Sequence, residues 1–97
     1  MYRLEYLPEA VADILEAEAY LYELSPPAAD QFAEAVEKLA ATLTENPFVC
    51  QVSRHDESLR CMSLPYRYLC FYYVDESKNL VQVYRILRGM RDIANIL

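Results

Sequence analysis

A chain of 97 residues, 55% hydrophobic and 25% charged, can hold one thin core but not two domains. That apolar share excludes disorder as the main state. The longest apolar run, Tyr68 to Val74, is seven residues against the ~20 a membrane helix needs. The net charge of −6 argues against a protein whose main task is coating nucleic acid.

Charges recur from Arg3 onward, before any apolar leader could form, so the expected compartment is the cytoplasm. Tyr2–Leu7 alternates, with Tyr2, Leu4 and Tyr6 on one side and Arg3 and Glu5 on the other, which is the period of a half-buried strand. Pro8 ends it and can open the helix predicted over Pro8–Leu24, whose apolar stripe is Val11, Ile14, Leu15, Leu21 and Tyr22. Glu9, Asp13, Glu16 and Glu23 read as its solvated face. Ser25-Pro26-Pro27 breaks the helix, and Ser25 is placed to cap the next. That helix, Pro27–Glu45, carries Ala29, Phe32, Val36, Leu39, Ala40 and Leu43 at helical spacing and stops at Asn46-Pro47. The short break predicts an antiparallel helix hairpin.

Phe48–Ser58 is a polar connector without a period. Leu59–Leu64 is a short strand with a turn at Pro65, and Tyr66–Asp75 is a strong aromatic strand. Asp75 to Asn79 is turn chemistry before a last strand, Leu80–Leu87, with Val81 and Val83 on one face and Gln82 and Tyr84 on the other. Gly89, the one glycine, marks a corner, and Met90–Leu97 is a short helical tail. The order β-α-α-β-β-β predicts a single α+β domain, with the helix hairpin on one face of an antiparallel sheet and the other face open to a partner.

Charge is divided unevenly. Residues 1–49 carry two basic and ten acidic side chains, and residues 50–97 carry seven basic and five acidic. Six of those seven are arginine: Arg54, Arg60, Arg67, Arg85, Arg88 and Arg91. Arginine is suited to bidentate anion contacts and interface anchoring. Arg85, inside the last strand, can equally pair with a helix carboxylate. Arg88 and Arg91 flank Gly89 beyond the strand and are the first candidates for contact, followed by Arg60 and Arg67. Tyr66, Tyr68, Tyr72, Tyr73 and Tyr84 read as sheet packing before an aromatic binding surface. Cys50, Cys61 and Cys70 form no CxxC pair, and the single histidine, His55, lies in a polar loop. Neither a metal site nor a cofactor is therefore expected.

The element order, the length and several strings resemble the RelE/ParE superfamily of toxins from type II toxin–antitoxin systems. The strings are Ala10-Val11-Ala12-Asp13-Ile14, Leu43 to Pro47, Phe71-Tyr72-Tyr73-Val74 and, most specific, Val83 to Ile93. The last is similar to the R-[IV]-L-H-x-x-R-D ending of the ParE branch, with Arg88 where that branch usually has histidine. The resemblance implies either of two activities. RelE-like members are ribosome-dependent mRNA endonucleases, and ParE-like members poison DNA gyrase by binding it. It implies neutralisation of either by a small antitoxin, ParD-like for the ParE branch, in a hetero-oligomer.

For a nuclease the matching residues are Arg60, Arg67 and Arg91. Aligning on Phe71-Tyr72 replaces Arg67 by Leu69. A second lysine position of the nuclease pattern falls on Ser58, and the tail Asn95-Ile96-Leu97 has no tyrosine or histidine. Arginine stays protonated and is a poor general base, and ribosome docking favours a basic protein. These departures favour the ParE-like branch. The expected catalytic set is then empty, and Arg60, Arg67, Arg85, Arg88 and Arg91 are target- or antitoxin-binding. The expected partners are gyrase and the antitoxin, with no membrane and no sequence-specific nucleic acid. A degenerate member that keeps the fold and antitoxin binding without toxicity is a third alternative.

Overall fold

A computed structural model describes the backbone of all 97 residues and every side chain except those of Met90 and Arg91. The elements are β1 (Arg3–Tyr6), α1 (Pro8–Leu24), α2 (Pro26–Glu45), β2 (Arg60–Leu64), a three-residue turn (Pro65–Arg67), β3 (Tyr68–Asp75), β4 (Leu80–Arg88) and α3 (Met90–Ile96). Ser25 stands at the N-cap of α2, but its side chain makes no capping bond. Pro26 and Pro27 lack the first N–H groups, and the backbone carbonyl of Ser25 accepts from Ala28 N at 2.9 Å, so little is left for the hydroxyl to cap.

The sheet order is β1-β4-β3-β2. β2, β3 and β4 form the expected antiparallel meander, whereas β1 joins β4 in parallel, with Leu4 beside Val81 and Tyr6 beside Val83. The sheet is therefore mixed. The β3–β4 turn is closed by Asp75, whose Oδ1 accepts from Ser77 Oγ at 2.7 Å and Lys78 N at 3.3 Å. The β3–β4 ladder slips once. Phe71 opposes Arg85 and Tyr72 opposes Val83, leaving Tyr84 without a partner. Such a bulge re-aims the side chains beside it.

The main core lies between the helices and the sheet. It joins Leu21 of α1, Phe32, Leu39 and Leu43 of α2, Tyr68, Cys70 and Tyr72 of β3, and Val81, Val83 and Ile86 of β4. Phe32 and Tyr68 meet edge to face at 5.0 Å. Tyr72 is fully buried, yet its hydroxyl donates to Pro47 O at 2.8 Å, so the phenol adds apolar area without an orphaned polar atom.

Two sequence expectations change here. α1 buries only part of its predicted stripe, Leu21 fully and Ile14 in part. Ala10, Ala17 and Leu21 are buried, while Val11, Leu15 and Tyr22 are 44%, 63% and 64% exposed. The buried face is turned by about a quarter of a revolution from the predicted one, toward the side on which Asp13 reaches β4. Nor is the far face of the sheet open. Leu59 from the connector and Ile93 from α3 close over Phe71 and Leu87 as a second, smaller core, joined at its edges by Leu69, Tyr73, Tyr84 and Leu97. Period two cannot reveal this, because the covering residues come from segments with no period of their own. Among the described residues, no helix is long and apolar enough to cross a membrane.

Candidate functional site

Where α1 crosses β4, the bulge leaves the backbone N–H of Ile86 free of the ladder and directs the Arg85 side chain toward the helix. Asp13 takes both groups. Arg85 Nε donates to Asp13 Oδ2 at 2.7 Å, Arg85 Nη2 donates to Oδ1 at 2.9 Å, and Ile86 N donates to Oδ2 at 2.9 Å. The two side chains are 17% and 10% exposed. Glu9 adds a longer contact at 3.4 Å. The Asp13 bonds raise the affinity of the guanidinium for its proton, and burial opposes them without reversing the direction. Arg85 is thus the tie that locks α1 to the sheet. Asp13 is correspondingly no part of a solvated face. The signal was present, since Asp13 lies three residues after Ala10 and four before Ala17, on the small-residue stripe that α1 buries.

Beyond this tie, α1, the end of β4 and α3 enclose a cleft of about 390 Å³ lined by Glu16, Tyr20, Tyr68, Arg88, Asp92 and Ile96 among others. Arg88 ends β4 and is exposed. Its guanidinium lies 5.3 Å from the Tyr20 ring and 6.0 Å from the Tyr68 ring, and its Nε donates to Tyr66 O at 3.1 Å. Tyr66 stands in the β2–β3 turn, where both Tyr66 (φ 63°) and Arg67 (φ 67°) are left-handed. That conformation is uncommon for side-chain-bearing residues, and the Tyr66 hydroxyl, donating to Gln31 of α2, helps to hold it. These two residues therefore belong to the turn and not to β3. Gly89 follows at φ 85°, the left-handed corner that lets α3 turn away from β4.

The structure places Arg88 at this end, beside Tyr20, Tyr66 and Tyr68, while Arg67 stands exposed in the β2–β3 turn and does not line the cleft. Arg91 lies in α3, but its side chain is outside the described residues. Arg60 is elsewhere, at the start of β2, with its Nη1 donating to Cys50 O at 2.5 Å and its guanidinium 5.0 Å from the Phe48 ring. β2 lies between Arg60 and Arg67, and the Arg60 guanidinium is already held by Cys50 and Phe48. Tyr20 was not singled out by the sequence, because its position on α1 matters only once the helix is rotated by Asp13.

The second core leaves a cleft of about 400 Å³ on the far face of the sheet, lined by Ser53, Arg54, His55, Cys61, Ser63 and Leu69, among others. His55 is solvent-exposed, as its polar loop implies. Burial pushes the Cys61 thiol above its ordinary range, which makes it a weak nucleophile at neutral pH. From the sheet, Cys61, Ser63, Leu69 and Phe71 face this cleft, and Arg54 reaches it from the loop. Among the described residues no three His, Cys, Asp or Glu side chains gather as a metal site.

A family model described as ParE toxin of type II toxin-antitoxin system, parDE, matches residues 4–93. No curated protein matches the sequence significantly. Solved structures share the fold. A chain of the chromosomal ParDE TA system from P. aeruginosa is 20% identical, with 91% of this chain and 96% of that chain covered and a TM-score of 0.73. A chain of the intact E. coli RelBE toxin-antitoxin complex is 18% identical, with 94% and 100% covered and a TM-score of 0.62. The isolated E. coli RelE toxin is 18% identical, with both chains covered completely and a TM-score of 0.59.

Proposed function

The chain belongs to the ParE toxin family of type II toxin–antitoxin systems, and from that membership we propose that it binds and inhibits DNA gyrase in the cytoplasm and is held inactive by a ParD-like antitoxin. The family match over residues 4–93 carries the reading. The distribution of charge supports binding over cleavage. RNA cleavage needs an acid and a base on either side of one phosphate, whereas Arg60 and Arg67 stand on either side of β2, and in the far cleft Arg54 and His55 are exposed loop residues beside Cys61, Ser63 and Leu69. The exposed side of α1, with Val11, Leu15 and Tyr22 beside acidic residues, gives a basic amphipathic antitoxin segment both apolar ground and counter-charge.

The experiment is a pulse-label after induction of the chain without antitoxin. DNA synthesis is expected to fall before protein synthesis, and purified chain is expected to inhibit gyrase supercoiling. Protein synthesis falling first, with mRNA cut on ribosomes, overturns the reading in favour of an endonuclease. Unimpaired growth overturns it in favour of a member that has lost its toxicity.

A further inference from the structure

We propose that Arg88 is a preset anchor for a carboxylate on the target protein, and that the cleft around it selects a protein surface over a phosphate backbone. The inference deepens the proposed function and takes from it only that a macromolecular target exists.

Three contacts fix the guanidinium before any partner arrives. The Tyr20 ring lies against it at 5.3 Å, the Tyr68 ring lies at 6.0 Å, and Nε is held by Tyr66 O at 3.1 Å. The carbonyl that holds it is presented by a turn with two consecutive left-handed residues, Tyr66 and Arg67. Strain of this kind persists where surrounding structure imposes it and is concentrated at functional sites. Arg85, three residues earlier, has its Nε and both terminal nitrogens on Asp13 and Glu9. Arg88, by contrast, has no carboxylate partner among the described residues, and its two terminal nitrogens make no hydrogen bond to them. A fork with its stem immobilised loses little freedom when it closes on a carboxylate, and both oxygens can be taken at once.

The rim decides between ligands. Glu16 and Asp92 line the same cleft. A single carboxylate projecting from a neutral or basic surface meets their repulsion once, and the Arg88 fork offsets it. A run of phosphates meets these two charges and the net −6 of the chain. The partner is therefore a protein surface with an acidic residue at its centre and a neutral or basic rim.

The test compares wild type with Arg88→Lys, Arg88→Glu and Tyr20→Leu, with Lys78→Gln in the β3–β4 turn as a control. Each is co-produced with the antitoxin to confirm folding. Gyrase binding and growth arrest are then measured with antitoxin absent. Arg88→Glu is expected to weaken gyrase binding at least ~30-fold, Arg88→Lys about tenfold because the charge stays and the fork is lost, and Tyr20→Leu about fivefold. Lys78→Gln should match wild type. Wild-type affinity should fall less than tenfold between about 50 and 200 mM salt, where a phosphate-tracking surface loses about a thousandfold.

Wild type that binds gyrase, with Arg88→Lys binding within twofold of it, overturns the anchor and leaves the proposed function standing. A chain that ignores gyrase but arrests growth only with Arg88 intact overturns the proposed target and supports the anchor. Arrest independent of residue 88, or a steep salt dependence, overturns the anchor. A chain that neither binds gyrase nor arrests growth overturns both.

Discussion

Asp13 accepts three hydrogen bonds from two neighbouring residues of β4. Replacing it by alanine leaves a guanidinium and a backbone N–H unpaired in a mostly buried place. Breaking such a pair from one side costs more than the pair contributes, because the remaining group stays desolvated. Asp13→Ala is expected to lose about 3 kcal/mol in urea unfolding, and Asp13→Asn roughly half that, since its oxygen can still accept from Ile86. The contrast with Arg88 is instructive at this scale. Two arginines three residues apart in one strand make different contacts, Arg85 beside the bulge closing on Asp13 of α1 while Arg88 bonds the Tyr66 carbonyl and lies against the Tyr20 and Tyr68 rings. Residue type alone could rank both as contact candidates. Only the bulge separates them, and a bulge leaves little trace in an alternating pattern.

At the scale of elements, α1 and the β2–β3 turn depart furthest from their local pattern. Leu15→Glu is expected to change stability by less than about 0.5 kcal/mol, because Leu15 is 63% exposed, whereas Leu21→Ala should cost about 3 kcal/mol. If the predicted stripe were the buried one, both substitutions would be severe. In the turn, Arg67→Gly should stabilise the fold by roughly 0.5–1 kcal/mol, since glycine meets no steric penalty at φ 67°. A thermal midpoint raised by a few degrees would report it. Much of the architecture was legible beforehand, for reasons visible in particular residues. Alternation in Tyr2–Leu7 and Leu80–Leu87 marked two strands, Pro8 and Asn46-Pro47 marked helix limits, and Phe32, Leu39 and Leu43 marked the inner face of α2. The rotation of α1 was hidden because alanines carry its contact with the sheet, and small residues weigh little in a hydrophobic stripe. Pro65-Tyr66-Arg67 was partly hidden, because aromatic residues favour a strand while the proline marks only where a turn begins.

For the molecule as a whole, two cores on either side of one sheet mean that β3 is covered on both faces along much of its length. Cys70 and Tyr72 sit in that strand, and burial raises the pKa of both groups above their ordinary 9.0 and 10.0. The folded state therefore favours the neutral thiol and phenol, while the unfolded chain ionises near the ordinary values. This contribution is complete below about pH 9 and is lost as pH rises through the range above it. Urea midpoints should accordingly fall between pH 7 and roughly pH 10.5, and Tyr72→Phe should flatten part of that decline while forfeiting the bond to Pro47.

The parallel pairing of β1 with β4 sets a timetable for synthesis. Arg3 pairs with Leu80, a separation of 80 − 3 = 77 positions, so the first strand made must wait for the last one before it gains a neighbour in the sheet. Until then the nascent chain has its helix hairpin but neither the Asp13 tie nor the end of β4 that carries Arg88. Ribosome-bound chains ending at Lys78 are expected to be digested by protease while the released full-length protein resists it, and resistance of the truncated chain would refute the ordering. On this timetable most of the chain is made before any of the structure that depends on β4 can exist, and a partner present at the ribosome meets the protein only as it completes its fold.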